Sequence, residues 1–213
     1  EPIQSCESWI NLSFKENDYE KVVNRIVGML FDIDQVIFRN QTSIGMRLED
    51  LKEHPKNTIN ALCNWMGIEE EESLYEMTAQ GRKWWGDPSS PDFGKEEMTP
   101  FGKTSTQRKL GSVFSDHDQF IFRTLFYPFS VRFGYVDEDL VQFKTHLQEI
   151  RPMLDQTFDF EKSMIKRGNI PAKQFTHSGS YQYLRAGLIG RWNTLSECHT
   201  YPHMLKPLLV TRH

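Results

Sequence analysis

The stretch Thr104-Ser105-Thr106-Gln107-Arg108-Lys109-Leu110-Gly111 leads directly into Ser112-Val113-Phe114-Ser115-Asp116 and then into a long apolar segment. Two adjacent cations and a glycine thus stand just before a serine/aspartate cluster that can cap a helix. Glycine lets a backbone approach an anion closely, Arg can bind two oxygens at once, and Lys adds a point charge. The pattern suits a terminal phosphate group, and a solvated basic turn before a surface helix is the alternative that the same residues allow.

Length and composition predict one folded domain with a buried core. The chain has 213 residues, 13% of them aromatic, and a formal net charge of -4, which argues against a protein that binds nucleic acid over its whole surface. Its three cysteines, Cys6, Cys63 and Cys198, are odd in number and widely spaced, as is typical of a reducing, cytoplasmic location. No apolar run approaches the roughly 20 residues that a membrane span requires.

Two helices are predicted near the start of the chain. Pro2 suits the first turn of a helix that turns Cys6, Trp9 and Ile10 inward. Asp18 is predicted to cap a second helix, because apolar residues recur after it at steps of three and four. These residues are Tyr19, Val22, Val23, Ile26, Met29 and Leu30.

A strand-to-helix unit is predicted next. The short apolar run at residues 44–48 is typical of a buried strand, and Glu49 and Asp50 follow at its carboxyl end, where open α/β sheets bind ligands. Pro55 begins a helix that Gly67 ends. The four glutamates at residues 69–72 indicate the start of a further helix that continues through residue 79.

Residues 81–100 are predicted to form a loop, because glycine and proline interrupt them repeatedly. A loop of this length in a compact domain is typically functional or mobile. Trp84 and Trp85 lie within it, and two interpretations of them stay open. They form a wall of an acceptor site, or they pack on the core.

The second half of the chain is predicted to be helical. Residues 115–133 are strongly apolar, with Pro128 expected to kink or break the helix and Gly134 to end it. Asp137 is predicted to cap the next amphipathic helix, and a last long helix begins at about Ser178. Together with the strand above, these segments predict an α/β fold class that is mostly helical.

The segment Arg47-Leu48-Glu49-Asp50-Leu51-Lys52-Glu53-His54-Pro55, leading into Ala61-Leu62-Cys63-Asn64-Trp65-Met66-Gly67, resembles sulfotransferases that use 3′-phosphoadenosine 5′-phosphosulfate. In that family a strand ends in a Tyr-Glu-Asp-Leu-like motif and a proline-led helix closes on Leu-Gly. Leu48 stands here where the family has an aromatic residue.

Two further matches concern the nucleotide's 3′-phosphate. Arg108-Lys109-Leu110-Gly111, with Phe133-Gly134-Tyr135 after it, is similar to the family's 3′-phosphate loop and the helix that follows. The family version is often Arg-Lys-Gly, so Leu110 is an insertion. The start of the chain resembles the segment that carries the family's phosphate-binding serine. The resemblance, which covers about residues 1–136, therefore implies that Ser8, Arg108, Lys109 and Gly111 bind this phosphate.

The resemblance implies a P-loop-type sulfotransferase fold for a single domain over residues 1–213, with residues 137–213 as a helical carboxyl-terminal extension. No Gly-x-x-x-x-Gly-Lys-like cluster is found, so the chain is interpreted as an incomplete, carboxyl-terminal portion of a longer enzyme. The implied reaction moves a sulfuryl group from the nucleotide donor to an acceptor hydroxyl or amine, with no metal and no nameable catalytic base. The alternative is a non-catalytic helical binding or assembly module that kept part of the fold.

Other constellations give weaker signals. Cys198-His199 with His203 has metal-like spacing, but Pro202 intervenes and no fourth ligand is evident. His117 is expected to be a polar surface residue rather than a catalytic base. The side chains of Glu49 and Asp50 diverge because the residues are adjacent, so we expect them to orient neighbouring loops rather than act as an acid/base pair.

Overall fold

A computed structural model describes residues 1–32, 43–76, 78–79, 82–83, 110–197 and 205–211. The described part is mostly helical, with two small two-stranded sheets. The chain divides into two compact units, one of Glu1–Ser43 with Arg108–Leu205 and the other of Ile44–Gln107 with Lys206–His213. The helices after residue 137 belong to the same unit as the first two helices.

The first unit contains seven helices in its described residues. They are α1 (Pro2–Lys15), α2 (Tyr19–Asp32), α5 (Asp116–Arg132), α6 (Leu140–Ile150), α7 (Asp159–Gly168), α8 (Ala172–Thr176) and α9 (Gly179–Glu197), with a 3-10 turn at Arg151–Met153. The longest helix, α9, packs on α2, and α1 packs on both α2 and α5. Their inner faces bury a core rich in phenylalanine, which includes Phe114, Phe122, Phe126, Phe158 and Phe160.

The predicted beginnings of α1, α2 and α5 are confirmed. Pro2 lies in the first turn of α1, the Asp18 carboxylate accepts the backbone N–H of Lys21 at the start of α2, and the Ser115 hydroxyl accepts that of Asp118 at the start of α5. The inward position of Trp9 was wrong, because 48% of this residue is exposed. Its ring instead lies 5.6 Å from the guanidinium of Arg25.

Two expectations about α5 and α6 need correction, and helix α7 was missed. The cap of α6 is Asp139 rather than Asp137, since its carboxylate accepts the N–H of Gln142. Pro128 does not break α5, which runs on to Arg132 and ends before Gly134 at a positive φ of 67°. Helix α7 was not predicted at all, because its Asp159-Phe160-Glu161-Lys162 start is charged and few of its side chains are apolar.

A buried ion pair joins three helices of this unit. The Arg185 guanidinium on α9 binds the Glu161 carboxylate on α7, and the Tyr19 hydroxyl on α2 donates to the same carboxylate. Arg185 also donates to the backbone carbonyl of Leu154 and lies over the ring of Phe158. Such a network holds the helices in one arrangement because a charge buried without its partner is costly.

The second unit contains strands β1 (Ile44–Gly45) and β4 (Lys206–Pro207), which pair in parallel, and helices α3 (Leu48–Glu53) and α4 (Pro55–Met66). Helix α4 begins at Pro55 and is followed by Gly67 in the left-handed conformation, as predicted. The strand predicted over residues 44–48 is only two residues long. Leu48 already begins α3, whose sequence is rich in good helix formers with acidic residues in its first turn.

The helix predicted over residues 69–79 was also wrong. Glu72–Tyr75 forms one 3-10 turn, and β2 (Thr78–Ala79) and β3 (Arg82–Lys83) then pair antiparallel. Most of the predicted loop at residues 81–100, including Trp84 and Trp85, lies outside the described residues. Among the helices that are described, none is long and apolar enough to cross a bilayer.

Candidate functional site

The segment Leu110–Phe114 is fixed to α1 by the carboxylate of Glu7. Glu7 lies on the inward face of α1 beside Ile3, Cys6 and Ile10 and is 3% exposed. One carboxylate oxygen accepts the backbone N–H of Ser112 at 2.9 Å and its hydroxyl at 2.7 Å. The other oxygen accepts the N–H of Gly111 at 3.2 Å and that of Phe114 at 3.1 Å. Four donors therefore surround one buried anion.

These hydrogen bonds control the ionisation of Glu7. Burial alone raises the pKa of the carboxyl, but the Ser112 hydroxyl and the three backbone amides outweigh burial and hold the pKa of Glu7 below its usual value. The neighbouring thiol responds in the opposite way. Burial, together with the negative charge of Glu7, raises the pKa of Cys6 to about 12, so the thiol is inert at neutral pH.

Gly111 and Phe114 shape the segment. Gly111 has a φ of 101°, a conformation that residues with a side chain rarely adopt, and this turn directs its N–H toward Glu7. Phe114 is fully buried, and its carbonyl accepts the side-chain amide of Gln119 at 3.0 Å. The segment therefore enters α5 in one conformation, with Ser115 as the cap.

The four sequence-predicted phosphate ligands are described in part. Ser8 is half-buried and directly follows Glu7, the residue that binds the segment containing Gly111. Ser8 is the seventh residue of α1. Arg108 and Lys109 lie outside the described residues.

Glu7 was not identified from the sequence. The signal was present, because an acidic residue stands at a position where the helical repeat of Ile3, Cys6 and Ile10 requires an inward side chain. A buried carboxylate needs hydrogen-bond donors. The glycine and serine that supply them lie 104 and 105 positions away, so a local pattern could not pair them with Glu7.

A second group of polar side chains lies where α5 and α7 begin. One possible metal-ligand atom from each of His117, Asp118 and Asp159 lies within 4.8 Å of the others. The Asp118 carboxylate, however, accepts the backbone N–H groups of Asp159 and Phe160 at 3.0 and 2.9 Å, and Asp159 accepts from Ser115 and Lys162. These bonds explain the cluster as the cap of α7. His117 is exposed, as expected.

The remaining candidates add little. Asp50 lies in α3, is 3% exposed and pairs with Arg47 at 3.8 Å, which fits the predicted orienting role better than acid/base work. Cys198, His199 and His203 lie outside the described residues.

A comparison of the chain with protein-family models, curated proteins and solved structures finds no match.

Proposed function

We propose that this chain contributes to a sulfotransferase, in which the junction of α1 with Gly111 and Ser112, together with the side chains of Arg108 and Lys109, holds the 3′-phosphate of the nucleotide donor. The observation that supports the proposal is the Glu7 anchor. It holds Gly111 and Ser112 against α1 at the residue that precedes Ser8, and the resemblance requires the two phosphate-binding segments to meet in this region. In the sequence Arg108 precedes Gly111 by three residues, a separation that an extended chain spans in at most about 11 Å.

The site has to bind the phosphate through side chains. The backbone N–H groups of Gly111, Ser112 and Phe114 already donate to Glu7, so they do not serve a second anion. Arg108, Lys109 and the Ser8 hydroxyl would supply the phosphate contacts, and the two cations would offset the charge of Glu7. Gly111 would contribute close approach, because it carries no side chain.

In this proposal the named residues bind and orient the donor, and they make no covalent bond. The donor supplies the sulfuryl group, which passes in line to an acceptor hydroxyl or amine, as phosphoryl groups do in related chemistry. The bond between sulfur and the bridging phosphate oxygen breaks, adenosine 3′,5′-bisphosphate leaves, and the acceptor loses a proton. Binding energy from a remote phosphate helps to position the reacting centre. Trp84 and Trp85 remain the candidates for the acceptor side. The proposal includes a cytoplasmic location, and the proposed reaction requires no metal.

The test is calorimetric titration with adenosine 3′,5′-bisphosphate. We expect saturable binding that weakens at least tenfold in an Arg108→Ala/Lys109→Ala variant, because two charge-assisted contacts are lost. A Lys144→Ala/Lys173→Ala variant removes the same charge from exposed positions of the first unit and should bind as the parent does. Equal affinity in the Arg108/Lys109 variant would remove the site assignment.

One observation favours a second function. The backbone N–H groups of Gly111, Ser112 and Phe114 resemble an anion-binding turn, but all three donate to the protein's own Glu7 carboxylate. Such bonds are expected of a loop whose role is purely structural. The alternative is therefore a non-catalytic helical binding or assembly module. Failure of the unmodified chain to bind the bisphosphate would favour this module.

A further inference from the structure

A groove of about 860 Å³ lies in the second unit, between α4 and the segment that contains β4. We call it the α4 groove and define it by Lys56, Asn60, Asn64, Trp65, Glu70 and Lys206, which all line it. Asn57 donates to the carbonyl of Thr211 at 2.8 Å, and this bond ties the segment after β4 to α4. Of the residues proposed to bind the nucleotide, the structure describes Ser8 and Gly111, and neither lines this groove.

One wall of the groove carries a row of linked polar groups. The side-chain amide of Asn64 donates to that of Asn60 at 3.0 Å, and Asn60 donates to the Glu70 carboxylate at 3.1 Å. The Tyr75 hydroxyl donates to the other carboxylate oxygen at 2.7 Å. Because each amide nitrogen has two hydrogens and only one is used in these bonds, the row still offers donors, while its partners fix the orientation of each group.

Glu70 is charged in this row. Hydrogen bonds from Tyr75 and Asn60 hold the pKa of Glu70 below its usual value. An ionised carboxylate accepts hydrogen bonds strongly, with about four lone-pair sites on its two oxygens. The row therefore presents both donors and a strong acceptor, which matches a ligand with several hydroxyl groups.

An aromatic surface and two cations complete the groove. Trp65 is 40% exposed, so a broad apolar ring faces solvent beside the amides. Lys56 and Lys206 are exposed, and neither forms an ion pair with any residue that the structure describes. Ile44, Pro207 and Leu208 add apolar surface, so the lining suits a ligand that has both an apolar face and polar groups.

We propose that the α4 groove binds a sugar ring that carries an anionic group. The apolar face of the ring, formed by its C–H groups, would lie on Trp65. Its hydroxyls would bind the row of Asn60, Asn64 and Glu70. Its carboxylate or phosphate would lie between the ammonium groups of Lys56 and Lys206, which bind such anions as point charges.

The test is calorimetric titration of the full chain with glucuronate, glucose 6-phosphate and glucose. We expect saturable millimolar binding of an anionic sugar, with glucose weaker by roughly tenfold. Whether glucuronate or glucose 6-phosphate binds more tightly identifies the anionic group. No saturation with either anionic sugar up to about 50 mM would overturn the proposal, and so would equal binding of acetate or inorganic phosphate, since these lack the ring.

Variants then locate the binding. Lys206→Gln should weaken the anionic sugar roughly tenfold and leave glucose unchanged, whereas Trp65→Ala should weaken both. The matched controls are Lys144→Gln and Trp9→Ala, which alter an exposed lysine and an exposed tryptophan of the first unit. Lys206 is exposed, so its substitution tests the groove even where removal of Trp65 affects folding. Unchanged affinities in both groove variants would place the binding elsewhere and refute the proposal.

Discussion

The carboxylate of Glu7 and the backbone of Ser112 are joined by a 2.9 Å hydrogen bond between residues 105 positions apart, and the Ser112 hydroxyl adds a second bond of 2.7 Å. These bonds hold the segment before α5 on α1, because the Glu7 carboxylate is buried on the inward face of α1 and needs donors.

The first prediction is that Glu7→Gln lowers the free energy of unfolding by about 2–3 kcal/mol, since an amide removes the charge and turns an NH₂ group toward donors that need an acceptor. Urea unfolding followed by circular dichroism at pH 7 measures the change. Glu149→Gln, at an exposed position of α6, should change stability by less than about 0.5 kcal/mol. Equal effects of the two variants would contradict the role given to Glu7.

The second prediction concerns pH. The pKa of Glu7 lies below its ordinary value of 4.5 in the folded protein, so the unfolded chain binds the proton first as pH falls. The stability contributed by the charged carboxylate is therefore fully present above about pH 5.5 and decreases as pH falls through the folded pKa. Unfolding experiments should show that the difference in free energy of unfolding between the parent and Glu7→Gln shrinks from pH 6 toward pH 3. A constant gap would be inconsistent with the lowered pKa.

A third prediction compares two glycines. Gly111→Ala should destabilise the protein by about 1–2 kcal/mol, because φ of 101° is strained for alanine although its Cβ would meet no atom closer than 3.9 Å. Gly28→Ala should instead stabilise α2 by about 0.5–1 kcal/mol, since the helical site has nothing within 4 Å of a new Cβ. Thermal unfolding distinguishes the two signs. A stabilising Gly111→Ala would show that the turn is not held as described.

The fourth prediction tests the buried pair of Glu161 and Arg185. Glu161→Gln should cost about 3–5 kcal/mol, because it leaves the guanidinium buried without a counter-charge. Adding Arg185→Met should recover part of that loss, and a double-mutant cycle in urea measures the coupling between the two residues. The exposed pair Arg151–Asp155 provides the control, and Asp155→Asn should cost less than about 1 kcal/mol. Additive losses at Glu161 and Arg185 would contradict the pairing.

Much of the helical framework could be predicted from local pattern. Pro2, Asp18, Ser115 and Gly67 mark helix ends by chemistry that acts within three or four residues, and all four lie at helix ends in the structure. The wrong strand prediction over residues 44–48 also came from a local pattern, because Ile44-Gly45-Met46-Arg47-Leu48 is apolar enough for a strand. The good helix formers after Leu48 favour a helix, and this helix begins at Leu48.

The centre of the candidate site could not be predicted in the same way. Glu7 is recognised as an anchor only when Gly111 and Ser112 are placed beside it, and that pairing is set by the packing of α1 on α5. The cap of α7 is similar, because Asp118 serves amides 41 and 42 positions later. Long-range hydrogen bonds leave no periodic trace in a sequence.

The parallel pairing of β1 with β4 has a consequence for biosynthesis. Gly45 and Pro207 are register partners, so about 160 residues must leave the ribosome between the two strands. Until β4 has been synthesised, β1 lacks its parallel partner strand. Helices α1, α2, α5 and α9 are all synthesised before β4. We therefore expect the pairing of Ile44 and Gly45 with β4 to form only after residues 206–207 have been synthesised.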